Sequence, residues 1–139
     1  MSAYLEIKTE FHDLEALLQA LCEVGTARCP TLRRDQIEVH PQGANLMGYH
    51  GDTRSQKAHV IIRRNNVNSA SNDIGFELVN GAYVARISAY DSRRHDAVWL
   101  GKVAQRATVN VAKRNAQKRG YKVRETTNAD GSVRLVASR

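Results

Sequence analysis

Seven cations in the last third of the chain are the residues whose types and spacing can do chemistry. Lys102, Arg106 and Lys113, with Asn110 and Gln117, recur at helical spacing, and Lys118, Arg119, Lys122 and Arg124 prolong the run. From Lys102 to Arg124 no Asp or Glu interrupts it. Long basic stems on one flank of a helix offer phosphate contacts at regular spacing. The plainer reading is that the stems lie over an apolar rim with their heads in water, or complement the negative end of the helix dipole. Helix phase bears on the choice. Leu100, Val103, Ala104, Ala107 and Val111 share one side, which is the side that should pack. Lys102, Arg106 and Lys113 fall beside it and stay available. The expectation is one continuous surface built from Lys102, Arg106, Lys113, Lys118, Arg119, Lys122 and Arg124. It would contact a polyanion, in the first place nucleic acid backbone without base readout.

Other chemistry is sparse. His40, His50, His59 and His95 are scattered, with no pair three or four residues apart. His12 precedes Asp13, which is better explained as a helix cap. A metal site can be drawn from His40, His50 and Asp52, but the spacing does not ask for one. Six residues separate Cys22 from Cys29, which is not a zinc-pair interval, so two reduced thiols are expected, with Cys22 packed as a small hydrophobe. There is no phosphate-binding loop, no Gly-x-Gly-x-x-Gly and no nucleophile elbow. Tyr83 and Tyr90 could present rings for stacking from a sheet face, while Trp99 and Tyr121 look like core edges. Core packing is the simpler account of these aromatics. No catalytic residue, cofactor or metal is expected, and the chain reads as a binding module rather than an enzyme.

Charge is segregated. The 139 residues carry a net charge of +7. Residues 1–51 hold 4 basic and 7 acidic side chains, net −3, and residues 52–92 hold 5 and 4, net +1. Residues 93–139 hold 12 and 3, net +9. A segregated surplus points to a negatively charged partner, which leaves nucleic acid, an anionic membrane surface or an acidic protein. Hydrophobic residues make up 42% and charged residues 25%, a globular balance that argues against disorder. No apolar run approaches the roughly 20 residues of a membrane helix, and the opening lacks the basic-then-apolar pattern of a signal peptide. A cytoplasmic protein of one domain, 1–139, without membrane contact, is expected.

The elements that must position these groups follow from local signals. Residues 3–9 read as a strand. Asp13 caps a helix whose Leu14, Leu17, Leu18 and Leu21 recur at helical spacing before Gly25 closes it, giving a helix over 13–24. Residues 36–40 form a short strand ending at Pro41, and Gly43, Gly48 and Gly51 mark a long flexible stretch. Residues 58–63 are a strand and 65–72 a polar loop. Strands 74–79 and 82–89 meet at Asn80-Gly81, a pair suited to a tight hairpin. A long helix over 98–119 ends at Gly120. Strands 121–126 and 132–137 turn through Asn128-Ala129-Asp130-Gly131, with Arg134 opposite in direction to Val133 and Leu135. Ile74 and Phe76 should be core, with Gly75 between them for close backbone approach. The order β-α-β-β-β-β-α-β-β predicts an α+β fold, a mostly antiparallel sheet with two helices on one face.

Pieces of the sequence also resemble a family of small bacterial proteins of unknown function, known in plastids as a hypothetical chloroplast reading frame. Leu5-Glu6-Ile7-Lys8-Thr9, Ala58-His59-Val60-Ile61-Ile62-Arg63, Asp73-Ile74-Gly75-Phe76, Gln105-Arg106, Gly120-Tyr121-Lys122-Val123 and Asp130-Gly131-Ser132-Val133-Arg134-Leu135-Val136 carry the likeness, in order along nearly the whole chain. The chain departs from that pattern at Ser88-Ala89-Tyr90, where the family carries two tryptophans, and at Ala107-Thr108-Val109, where it carries Tyr-Ala-Tyr. The resemblance implies a compact α+β domain. It implies, more loosely, work beside an ATPase of the AAA class, and it transfers no catalytic residue. The alternative function is therefore an adaptor or structural subunit whose basic surface meets an acidic protein partner.

Overall fold

Alternation along five strands puts their apolar residues on one side of a sheet, and two helices cover that side. The computed structural model describes residues 2–139. In chain order the elements are β1 (Tyr4–Lys8), α1 (Leu14–Val24), β2 (Glu38–Met47), β3 (Thr53–Ile62), β4 (Ile74–Val79), β5 (Ala82–Ser88), α2 (Ala97–Lys118), β6 (Lys122–Thr127) and β7 (Val133–Ser138). The first five strands form an antiparallel sheet of order β1-β5-β4-β3-β2, and β6 and β7 form a separate hairpin. The α+β class, the element order and the two helices are those expected from the sequence.

The register explains the core. Val60 lies opposite Phe76, and Phe76 opposite Ala85. These side chains, with Ile62, Ile74 and Ile87, are fully buried against Leu17, Leu18 and Leu21 of α1 and Leu100 and Val103 of α2. Removing a side chain the size of Phe76 from water contributes about 1.5–3 kcal/mol. The caps work as the sequence implies. Asp13 accepts a hydrogen bond from the Ala16 N–H at 2.9 Å, and Asp96 accepts one from the Trp99 N–H at 3.1 Å. Asn80 and Gly81 both have positive φ, 52° and 82°, the geometry of a tight hairpin turn.

Two expectations change. Residues 43–47 are strand rather than a flexible stretch, because β2 runs through Pro41 and Gly43 to Met47. A proline is tolerated there since β2 is a sheet edge and its pairing with β3 slips between Val39 and Ala44. The 65–72 loop is also ordered by burial. Val67 is fully buried and Asn72 nearly so, and Arg64–Asn66 form a turn of 3-10 helix.

Asp73 is structural. It is 1% exposed, and it accepts hydrogen bonds from the Arg64 N–H at 2.7 Å, the Met47 N–H at 2.8 Å and Arg63 Nη1 at 2.7 Å. Arg63 also donates to both oxygens of Glu38 at 2.9 Å, which holds the Glu38 carboxyl below its usual range. Gly75 permits the close approach expected of it. A Cβ there would lie 2.5 Å from the Ala58 Cβ and 2.8 Å from a Leu46 methyl.

Candidate functional site

The β6–β7 hairpin packs on α2, on the flank from which Arg106 also reaches Glu23 of α1, and this decides the fate of the seven cations. Strand alternation sends Val123 and Glu125 to one face of β6 and Lys122, Arg124 and Thr126 to the other. Glu125 thereby points at α2. Arg106 donates to it through Nη1 at 2.5 Å and Nη2 at 3.1 Å, and to Glu23 of α1 through Nε at 3.0 Å and Nη2 at 2.7 Å. Lys113 lies 3.5 Å from the same Glu125 carboxylate. Asn110 donates to Glu23 at 2.8 Å. The Arg106 hydrogen bonds hold the Glu125 carboxyl below its usual range.

Arg106 and Lys113 are therefore a clamp, not a contact surface. Their side chains are only 18% and 29% exposed, and both are neutralised by carboxylates. The helix phase was right in keeping them off the apolar face, but that flank is covered by the hairpin. Lys102 is exposed but separate. It lies near the start of α2 beside Val98, Trp99 and Thr26. Lys118 is sixteen positions further along α2, a rise of about 24 Å.

The remaining four do come together. Lys118 and Arg119 end α2, and Lys122 and Arg124 continue on the outer face of β6; all four are exposed. Cross-strand register adds Arg134, since Thr126 lies opposite Arg134 and Arg124 opposite Val136. Arg134 is exposed while Val133 and Leu135 are half-buried toward α2, as the alternation required. Among the described residues, Lys118, Arg119, Lys122, Arg124 and Arg134 form no ion pair. Arg139, at the end of the hairpin, lies apart from them with its guanidinium 4.6 Å from the Tyr121 ring centroid. Sequence reasoning left Arg134 out of the surface, although the strand alternation it used already placed Arg134 on the outer face.

The histidines and cysteines stay apart. His40 lies 2.7 Å from Glu38, His50 stands edge-on to Tyr49, and Asp52 lies near Arg54. Among the described residues no three His, Cys, Asp or Glu side chains gather as a metal would require. Cys22 and Cys29 are free thiols, and burial pushes the Cys22 thiol upward in pKa. His95 is 2% exposed. Its Nε2 accepts the Ala27 N–H at 3.1 Å, so the neutral ring carries its proton on Nδ1, which has no partner. Burial lowers its pKa. Of the aromatics, Tyr83 is buried, while Tyr90 is 43% exposed. Among the described residues no helix is long and apolar enough to cross a membrane.

Comparison with protein families matches residues 31–136 to the model of a protein of unknown function (DUF1257). That span runs from β2 into β7 and includes Lys118, Arg119, Lys122, Arg124 and Arg134, and it leaves out β1 and α1, where the resemblance of the sequence began. Comparison with curated proteins and with solved structures returned no match.

Proposed function

The chain belongs to the DUF1257 family, whose description leaves its function open, and from that premise we propose that it is a non-enzymatic module that holds nucleic acid backbone on the hairpin face. The observation that carries the reading is the row of unpaired cations: Lys118, Arg119, Lys122, Arg124 and Arg134. Alternate residues of a strand stand about 7 Å apart on one face, about twice the 3.4 Å rise per nucleotide along one strand of a duplex. A two-stranded ribbon is also narrow enough to enter a major groove. Around the cations that face offers Thr126, Val136 and Ser138, with no Asn, Gln or Glu positioned to read base edges, so backbone contact is the mode it supports.

The test is a salt series of fluorescence anisotropy with a generic RNA and a generic duplex DNA. Lys122→Glu/Arg124→Glu/Arg134→Glu should lower the slope of log affinity against log salt by about three units, near one for each phosphate that is no longer neutralised. Arg106→Gln should leave that slope unchanged, because Arg106 is clamped. Equal binding by wild type and the triple variant refutes the reading. That result would favour an acidic protein partner, including the ATPase that the family resemblance implies, with buried apolar anchors and weaker salt dependence.

A further inference from the structure

A second feature lies away from the hairpin, where the β2–β3 turn meets the loop after β5. Tyr49 and Tyr90 are 45% and 43% exposed, and together with His50, Asp52, Arg54 and Asn72 they line one cleft of about 250 Å³. Each tyrosine carries a guanidinium over its ring: Arg64 lies 5.8 Å from the Tyr49 centroid and Arg93 5.3 Å from the Tyr90 centroid. Asn72 brackets the two turns. Its Oδ1 accepts the Tyr49 N–H at 2.9 Å. Its Nδ2 donates to Ser88 Oγ at 3.0 Å, and its N–H to Asp91 at 2.9 Å. Ser88 and Asp91 flank Tyr90, whose own N–H is held by Ser2 Oγ at 2.8 Å. The backbones that carry the two surface aromatics are thus tied to one another through Asn72.

From this arrangement we infer a site for one nucleotide unit, with the base stacked between or upon Tyr49 and Tyr90 and the phosphate met by the surrounding arginines. The volume is below the 300–1,000 Å³ usual for drug-sized ligands, which suits a single planar ring system. Three chemistries meet at the cleft and its rim. The tyrosine rings supply stacking planes for any base. Arg64 and Arg93, at the tyrosine rings on the rim of the cleft, bring positive charge and forked donors to a phosphate, while Arg54 inside it is held by the Ser2 carbonyl and by Asp52. Asp52, 3.8 Å from Arg54 Nε, supplies an acceptor for a sugar hydroxyl or a base amine. Of the two buried carboxylates nearby, Asp73 is neutralised by Arg63, while Asp91 is held by the neutral Asn72 N–H and Ser88 hydroxyl and lies beneath the surface. Stacking requires an unpaired base, so the site takes single strands or free nucleotides, in contrast to the hairpin face, which meets any backbone.

The experiment uses the full chain carrying Lys122→Glu/Arg124→Glu/Arg134→Glu, so that hairpin binding does not contribute. Labelled oligouridylate and oligoadenylate are titrated by anisotropy, with uridine and adenosine monophosphates as competitors. Tyr49→Ala and Tyr90→Ala should each weaken binding about tenfold or more, while Tyr→Phe at either position keeps it, as stacking predicts. Competition by the monophosphates at concentrations near the strand's own affinity assigns the site to free nucleotides. Competition by strands alone assigns it to single-stranded nucleic acid. Unchanged binding in both alanine variants overturns the inference, as does no binding of any probe. Either result leaves the hairpin reading to its own salt-slope test.

Discussion

Replacing Asp73 with alanine should remove a large share of the protein's stability, and the size of the loss can be worked from its hydrogen bonds. The carboxylate is 1% exposed and serves the Arg64 and Met47 N–H groups and Arg63 Nη1. Arg63 keeps Glu38 and is partly open to water, so its share is small. The two part-buried backbone donors lose this acceptor, and each donor left unpaired costs about 1–3 kcal/mol. Asp73→Ala should therefore cost about 2–6 kcal/mol. Asp73→Asn keeps one acceptor oxygen but turns an amide N–H toward the remaining donors, and should recover only about 1 kcal/mol of that loss. A chain of this length has a total stability of roughly 7–20 kcal/mol, so both variants should still fold. Urea denaturation followed by circular dichroism should show a lower midpoint at unchanged m-value, with a melting temperature down by about 10–20 °C. The exposed control Glu10→Gln should stay within about 0.5 kcal/mol. A loss below about 1 kcal/mol for Asp73→Ala would refute the reasoning that these donors depend on it.

Two further outcomes follow from the same structure. Gly75→Ala forces a methyl against Ala58 and Leu46 and should cost about 1–3 kcal/mol. In a double-mutant cycle Ala58→Gly should return part of it, and strict additivity of the two changes would count against the close approach. His95 is held neutral by burial, with its folded pKa below its unfolded value of about 6.5. The unfolded chain then binds the extra proton. The His95 contribution is complete above pH of about 6.5 and is lost as pH falls toward the depressed folded pKa. The groups facing the ring, Asp91 and Asp96 on one side and Arg94 on the other, do not reverse that sign. Denaturation midpoints measured downward from neutrality should fall more in the wild type than in His95→Gln, and parallel curves would exclude His95 as the cause.

The parts of the fold that were readable from sequence were those whose signals are local. Asp13 followed by leucines at helical spacing, Asn80-Gly81 between alternating strands, and Gly120 after a long amphipathic run each define an element within a few residues. β2 was cut short because Pro41 reads as a terminator, and only its place at a sheet edge makes it harmless. The polar 65–72 segment looked loose because its anchors, Val67 and Asn72, are buried by elements distant in sequence. The basic surface was half legible. Helix phase correctly kept Arg106 and Lys113 off the apolar core, but Glu23 of α1, which neutralises Arg106, is 83 residues away in the chain. Glu125 sits directly after the basic run, and strand alternation placed it opposite in direction to Lys122 and Arg124. That signal was present and pointed to the pairing. Tyr49 lay hidden in a glycine-rich stretch where nothing marks a fixed ring, because Asn72, which fixes its backbone, is 23 residues away.

The irregularity of β2 has a consequence for the behaviour of the protein at high concentration. β2 is one border of the five-stranded sheet, and an open border with a regular ladder of free N–H and C=O groups recruits extended chains into aggregates. Pro41 removes one donor from that border, and the register breaks between Val39 and Ala44 and between Asn45 and Met47 interrupt its periodicity. An incoming strand finds no continuous run of partners. The other border, β1, is only five residues long and carries Lys8 at its end, a second known deterrent to edge pairing. Recruitment of other molecules is thereby directed to side chains rather than to the backbone, and overexpressed protein is guarded against fibre growth by the same residues that made β2 look broken.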